Sequence, residues 1–265
     1  MEILGYFAAF VMGLSLGLIG GGGSILTVPI LVYLFSQNPL VATTGSLFVV
    51  GSTALVGAIT NARKKMVDFK TGLLFALPSF VGVFVARRFI LPSLPDIIYQ
   101  QHGIVLTKAL LVMGAFAILM VLASRAMIRS GSLKSVEKSE KKASLAVIMG
   151  NGFFVGVTTG FVGAGGGFLI IPALVILLKL PMKTAVGTSL VIIAANSLFG
   201  FAISASTQPL DWKVLSIITA IGAVGIFVGQ AMTASINERL LKKGFGYFVL
   251  LVGSLVLIDQ IMKLR

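Results

Sequence analysis

Long apolar runs separated by short polar stretches fill the chain, at about residues 3–19, 24–36, 42–62, 70–91, 104–124, 145–163, 167–179, 185–205, 212–234 and 243–262. Most meet the roughly 20 residues that a helix needs to cross hydrocarbon. The second and seventh are shorter, so each reads as a tilted short span or one arm of a discontinuous hairpin. The pattern predicts an all-α polytopic membrane protein with about ten transmembrane helices. Its start carries Glu2 where a cleavable leader has basic residues, and is read as a retained first helix. One long hydrophilic segment, RAMIRSGSLKSVEKSEKKAS over 125–144, divides the chain into a half at 1–124 and a half at 145–265.

The two halves resemble each other. GLSLGLIGGGGSILTVPILV from Gly13 aligns without a gap on GVTTGFVGAGGGFLIIPALV from Gly156, a shift of 143 residues. Further along, Ala42, Ser46 and Leu47 meet Ala185, Ser189 and Leu190, Gly57 meets Gly200, and Asp68 and Lys70 meet Asp211 and Lys213. About twenty identities in about seventy-five positions exceed what shared apolar composition gives. Five crossings per half is an odd number, so the second copy enters the membrane from the opposite side. The expectation is two inverted five-helix repeats, each with a short Gly-interrupted helix, as in secondary transporters.

Composition narrows the function. With 57% hydrophobic residues, 11% charged residues and a mean hydropathy of +1.06, the chain has neither a water-facing surface nor room for a soluble catalytic domain. The net charge of +13 sits mostly in connecting segments, as in cytoplasmic loops that face anionic lipid. No basic stripe interleaved with aromatics points to nucleic acid. Ten crossings would place Arg63, Lys64, Lys65 and the linker on one side and Arg87, Arg88, Lys213 and Lys263 on the other. The positive-inside rule then makes the linker cytoplasmic and both termini external. The absence of cysteine excludes disulfides and thiolate sites. The single histidine, His102, reads as a loop residue, and no metal, cofactor or enzymatic nucleophile is expected. The oligomeric state is left open, a homo-oligomer included.

Two constellations could carry transport. Gly20–Ser24 and its counterpart Gly163–Gly167 interrupt helices, and each is followed by Pro29 or Pro172. Bare glycine backbone can present amides to an anion, and a helix that begins just after adds its positive dipole end. This reading selects Gly22, Gly23, Ser24, Gly165, Gly166 and Gly167. Close helix packing is the other reading of glycine, and it takes Gly13, Gly17, Gly156, Gly160, Gly225 and Gly229, which are spaced four apart. Ser46, Thr188 and Ser189 are candidate hydroxyl donors at the starts of two helices, where capping explains them equally well. Asn196 is a further donor within an apolar run, with inter-helix bonding as its alternative. Asp68 and Asp211 read as helix caps. The expected cradle holds no Lys or Arg, and no Asp, Glu or His lies mid-segment to relay protons. An inside-negative potential of 100 mV favours exit of a monovalent anion by about 2.3 kcal/mol, so export is the expected direction, with a proton- or sodium-coupled importer as the alternative.

The motifs GLIGGGGSILTVPIL and GFVGAGGGFLIIPAL, each followed by an Ala–x–x–[Gly/Thr]–Ser–Leu segment, resemble the TauE/SafE sulfite exporter family. The resemblance spans nearly the whole chain. It implies an inner-membrane permease with duplicated halves and a small sulfur-containing anion, such as sulfite or sulfoacetate, as substrate. The first repeat reads Ala42-Thr43-Thr44-Gly45-Ser46 in place of the family's Ala–x–Gly–Thr–Ser form.

Overall fold

The computed structural model describes residues 2–101, 104–130, 145–163, 165–178, 180–232 and 238–263. The helices are α1 (Glu2–Ile19), α2 (Ser24–Leu34), α3 (Pro39–Arg63), α4 (Phe69–Ser93) and α5 (Lys108–Ser130), then α6 (Leu145–Val162). They continue with α7 (Gly167–Pro172, prolonged by a π turn at Ala173–Leu177), α8 (Met182–Ser204), α9 (Trp212–Met232) and α10 (Glu238–Lys263). Among the described residues, seven helices are long and apolar enough to cross a membrane, while α1 and α2 are shorter apolar helices. The protein is therefore an all-α polytopic membrane protein.

One element departs from the apolar pattern. An antiparallel hairpin, β1 (Ile97–Gln101) and β2 (Ile104–Thr107), joins α4 to α5 and takes the first residues of the run expected to be helical from 104. Its Ile, Val and Tyr content suits a pleated ribbon, but period alone does not separate a short apolar strand from a helix. His102 lies outside the described residues, as do 131–144 of the linker; α5 itself continues through Ser130.

Helix ends follow from local chemistry. Asn38 caps α3 by accepting from the Leu40 amide at 2.9 Å, with Pro39 in the first turn, where its missing N–H costs nothing. Asp68 caps α4, accepting from the Thr71 amide at 3.0 Å and the Thr71 hydroxyl at 2.7 Å, and Asp211 caps α9 through the Val214 amide at 3.1 Å. These are the caps expected of the two aspartates. The Thr71 hydroxyl and amide hold the Asp68 carboxyl below the usual carboxylate range. Proline at 29 and at 172 cannot continue the i→i−4 ladder, and in both places the helix widens into a five-residue π turn, Ile30–Leu34 and Ala173–Leu177.

Glycine sets the packing. α1 lies on α9, where a Cβ at Gly13 would run into the Gly222 carbonyl and one at Gly225 into the Phe10 carbonyl. α6 lies on α4 in the same manner, Gly156 against Ser79 and Gly160 against Val83 and Ala86. A shift of 143 residues converts the first pair into the second. α3 packs on α8 along the centre of the bundle, and α5 packs on α10. The spaced glycines are thus packing residues, as their period suggested.

Replacing Gly225 by Val should destabilise the folded protein by about 1–3 kcal/mol through overpacking. Gly150→Ala, on an exposed face of α6 with no atom within 4 Å of the added methyl, should leave the melting temperature unchanged or slightly raised. Thermal melts in detergent compare the two. Asp68→Ala should remove about 1 kcal/mol of stability at neutral pH. Because the folded pKa of Asp68 is lowered, its contribution is present above the unfolded carboxylate pKa and is lost as pH falls through the folded value. The gap between the two melting curves should close across that acid window.

Candidate functional site

The geometry of the glycine breaks begins with how α1 and α6 end. Gly20 and Gly163 take positive φ, 81° and 79°, and their amides still bond back to Leu16 and Thr159 at 2.8 and 2.9 Å. That left-handed residue closes a helix and turns the chain, which only glycine does without strain. α2 then runs back along α1, with Gly23 against Met12 and Leu16 and Phe35 against Gly5. The tips of the two resulting hairpins meet on the α3–α8 seam, and Gly21 lies backbone to backbone on Gly167.

The carbonyls freed at the breaks are taken by serines from the other half. Ser46 Oγ donates to the Gly163 carbonyl at 2.6 Å, and Ser189 Oγ donates to the Gly20 carbonyl at 3.4 Å. Each hydroxyl is shared with its own helix, at Thr43 O (3.0 Å) and Val186 O (2.8 Å) respectively. The two crossed bonds occupy equivalent positions, 143 residues apart. Ser24 donates to Gly21 O at 2.9 Å, and the amides of Ile25 and Leu169 bond Gly22 and Gly166. Gly22, Gly23, Ser24, Ser46, Gly165, Gly166, Gly167 and Ser189 are all buried; Gly165 and Gly167 face the seam, whereas Gly23 lies against α1 and Gly166 against α6.

Two sequence-derived residues sit elsewhere. Thr188 accepts from the Asp68 amide at 2.9 Å and secures the α3–α4 turn. Asn196 faces α4 and donates to Ser79 Oγ at 2.6 Å, while its own Oδ1 is buried without a partner. Asn61 and Asn151 bond their own helices, at Gly57 O and Val147 O. Capping does not explain the serines. Asn38 and Pro181 occupy the cap positions of α3 and α8, so Ser46 and Ser189 lie two turns inside and bond back three residues.

Several polar groups at this seam had no counterpart in the sequence reading. Thr159 Oγ1 stands beside Gly166 and Ser197 Oγ beside Gly165, both buried without a hydrogen-bond partner. Thr53, the residue equivalent to Asn196, has an unpartnered hydroxyl as well. The expectation of a neighbourhood without cations is wrong at one place. Arg87 is only 6% exposed and reaches Thr44 Oγ1 and Thr43 O, both at 3.2 Å. Thr43 also lies directly against Gly163. The signal for it in the sequence is a guanidinium inside an apolar run.

Two partly open cavities lie among the described residues. One, of about 230 Å³, lies between α3, α4, the start of α5 and the end of α8, and is lined by Thr43, Thr44, Arg87, Lys108 and Gln208 among others. The second is an apolar groove of about 600 Å³ between α1, α2 and α10, on whose lining the Tyr33 hydroxyl is already given to Asp259 at 2.8 Å. Neither is lined by a break glycine. Gly21 and Gly167 pack backbone to backbone and the described break residues are buried, so an anion would meet their amides only if the tips part. Among the described residues no cluster of three His, Cys, Asp or Glu could hold a metal ion.

Comparison with known proteins is consistent across the chain. Residues 5–256 match the family described as "Sulfite exporter TauE/SafE". A "Probable membrane transporter protein" from Xylella fastidiosa (strain 9a5c) is 30% identical over 253 residues, covering 93% of this chain and 91% of that protein. "Probable membrane transporter protein YunE" from Bacillus subtilis (strain 168) is 30% identical over 249 residues, with 88% and 89% covered. "Probable membrane transporter protein MJ0441" from Methanocaldococcus jannaschii is 25% identical over 244 residues, with 88% and 85% covered. A bundle of apolar helices with two glycine breaks on its central seam, matched over this length, makes the chain a membrane transporter that belongs to the TauE/SafE sulfite exporter family.

Proposed function

We propose that this transporter exports small sulfur-containing oxyanions, sulfite or an organosulfonate such as sulfoacetate, by alternating access around the two glycine breaks. The observation that carries the proposal is the pair of crossed bonds, Ser46 to Gly163 and Ser189 to Gly20. They tie the two hairpin tips to opposite halves at equivalent places, as a pair of inverted five-helix repeats with ten membrane-inserted segments would require. Exchange of the α1–α9 contact for the α6–α4 contact under the 143-residue shift supports the same architecture.

In this reading the observed arrangement is occluded. When one tip moves off its serine, a hydroxyl and the glycine amides at the start of α2 or α7 become available to an oxyanion, and the helix N-terminus favours its charge. Thr159, Ser197 and the Oδ1 of Asn196 supply further buried polar groups that await a partner. Orientation by the positive-inside rule places the 125–144 linker in the cytoplasm and both termini outside an inner membrane. Exit of a monovalent anion then runs down the electrical gradient without a coupling ion.

Sulfite and sulfoacetate flux in proteoliposomes tests this directly. Ser189→Ala and Gly166→Val should each lower flux at least tenfold, the valine by filling the space against Thr159 at a residue of φ 67°. Flux should rise with a potential that pulls anions outward and persist when sodium and proton gradients are collapsed. Unchanged flux in both variants would sink the site, and loss of flux on collapsing either gradient would identify a coupled importer.

A further inference from the structure

Arg87 poses a problem that its protein neighbours do not solve. Its guanidinium is buried and its two terminal nitrogens bond Thr44 and the Thr43 carbonyl, but Nε has no partner. Among the described residues that line the cavity beside it there is no Asp or Glu, whereas Lys108 is one of them. A buried charge without a counter-charge is strongly unfavourable, and two cations on one small cavity compound the cost. A neutral isostere would avoid it. The residue equivalent to Arg87 under the 143-residue shift is Gln230, whose amide donates to Gly57 O at 3.0 Å from the corresponding place in the other half.

We propose that the cavity formed by Arg87, Lys108, Thr44 and Gln208 is a second anion site, which takes a free small oxyanion at the end of the α3–α8 seam. About 230 Å³ accommodates an ion of sulfite or sulfonate size with some water. Arg87 presents planar donors, Lys108 a mobile ammonium, and Thr44 and Gln208 neutral donors, a set suited to a multi-oxygen anion. The site also has a physical link to the glycine crossing. Thr43 accepts from Arg87 and from Ser46 through one carbonyl, and Ser46 in turn holds Gly163. An anion that draws Arg87 towards the cavity therefore weakens its bond to that carbonyl and leaves more of it to Ser46. The coupling to transport rests on the function proposed above; the binding site does not.

Isothermal titration of sulfite into the purified full chain in non-ionic detergent tests the site. Arg87→Gln should weaken binding at least tenfold, as loss of a charge-assisted contact predicts, and Lys108→Gln by about threefold. Arg87→Lys should fall between wild type and Arg87→Gln, because an ammonium cannot span Thr43, Thr44 and the anion together. Should Arg87→Gln fail to fold by gel filtration and circular dichroism, Lys108→Gln decides, since Lys108 is partly exposed at a helix start. Wild-type affinity in folded variants overturns the proposal, as does absence of saturable sulfite binding to wild type. Nanodiscs separate two sources of the same chemistry. Sulfite binding that survives phosphatidylglycerol supports a free-anion site, and binding that phosphatidylglycerol abolishes but phosphatidylcholine does not assigns the cavity to a lipid phosphate and overturns it. Gly150→Ala, on an exposed face outside both sites, should leave this binding intact. Normal flux in Ser189→Ala and Gly166→Val beside lost binding in Arg87→Gln would remove the glycine mechanism and keep this site.

Discussion

A helix broken inside an apolar bundle exposes carbonyls and amides that lipid cannot satisfy, and this constraint governs the centre of the molecule. The chain breaks there twice. At each break the carbonyl of the left-handed glycine is taken by a serine from the other half, Gly163 by Ser46 and Gly20 by Ser189. Neither half completes its own break. The centre therefore holds together only when the halves are assembled, and the surrounding glycine-lined contacts of α1 with α9 and α6 with α4 bring the backbones close enough for that.

The same bonds can be released at small cost. Each serine is shared between the glycine carbonyl and a carbonyl three residues back in its own helix, so a tip that withdraws leaves the hydroxyl still bonded. The hydroxyl is then not stranded, and the lost bond amounts to about 1 kcal/mol provided that the glycine carbonyl meets water or a ligand as the tip leaves. The close backbone contact of Gly21 with Gly167 adds no side-chain interlock to be undone. Such a junction is tight in one arrangement and can be left without undoing a side-chain interlock, which the alternating access proposed above requires.

Much of this was legible in the sequence because it depends on period and repetition. Apolar run lengths gave the helices to within a few residues, and the 143-residue shift brought Ser46 and Ser189, Gly20 and Gly163, into correspondence before their contacts were visible. The spaced glycines and the aspartate caps were equally local. What escaped depends on three-dimensional neighbours. Ser46 looked like a cap because the apolar run begins at Ala42, but Asn38 and Pro39 start the helix a turn earlier. Thr188 shares a motif with Ser189, yet successive helical residues face different ways, and it serves the α3–α4 turn instead. The β1–β2 hairpin is too short for its apolar residues to declare a period.

Arg87 was the most consequential residue to be misplaced. It reads as a boundary charge because Arg88 and two prolines follow closely, and boundary arginines ordinarily extend towards headgroups. In the fold it turns inward between the start of α3 and the end of α8, and its equivalent in the other half is a glutamine. Duplicated halves start with identical charges at equivalent positions, so a cation kept on one side and an amide on the other makes the two ends of the seam electrically different. A buried cation stands at one position, and a glutamine amide that bonds the Gly57 carbonyl stands at its equivalent. In a low-dielectric interior such a difference acts over the whole length of the seam, because few mobile ions are present to screen it. A nearly symmetric scaffold thereby gains one anion-attracting end through a single side chain, without altering the backbone that the two halves share, while the direction of any net flux stays with the electrochemical gradient.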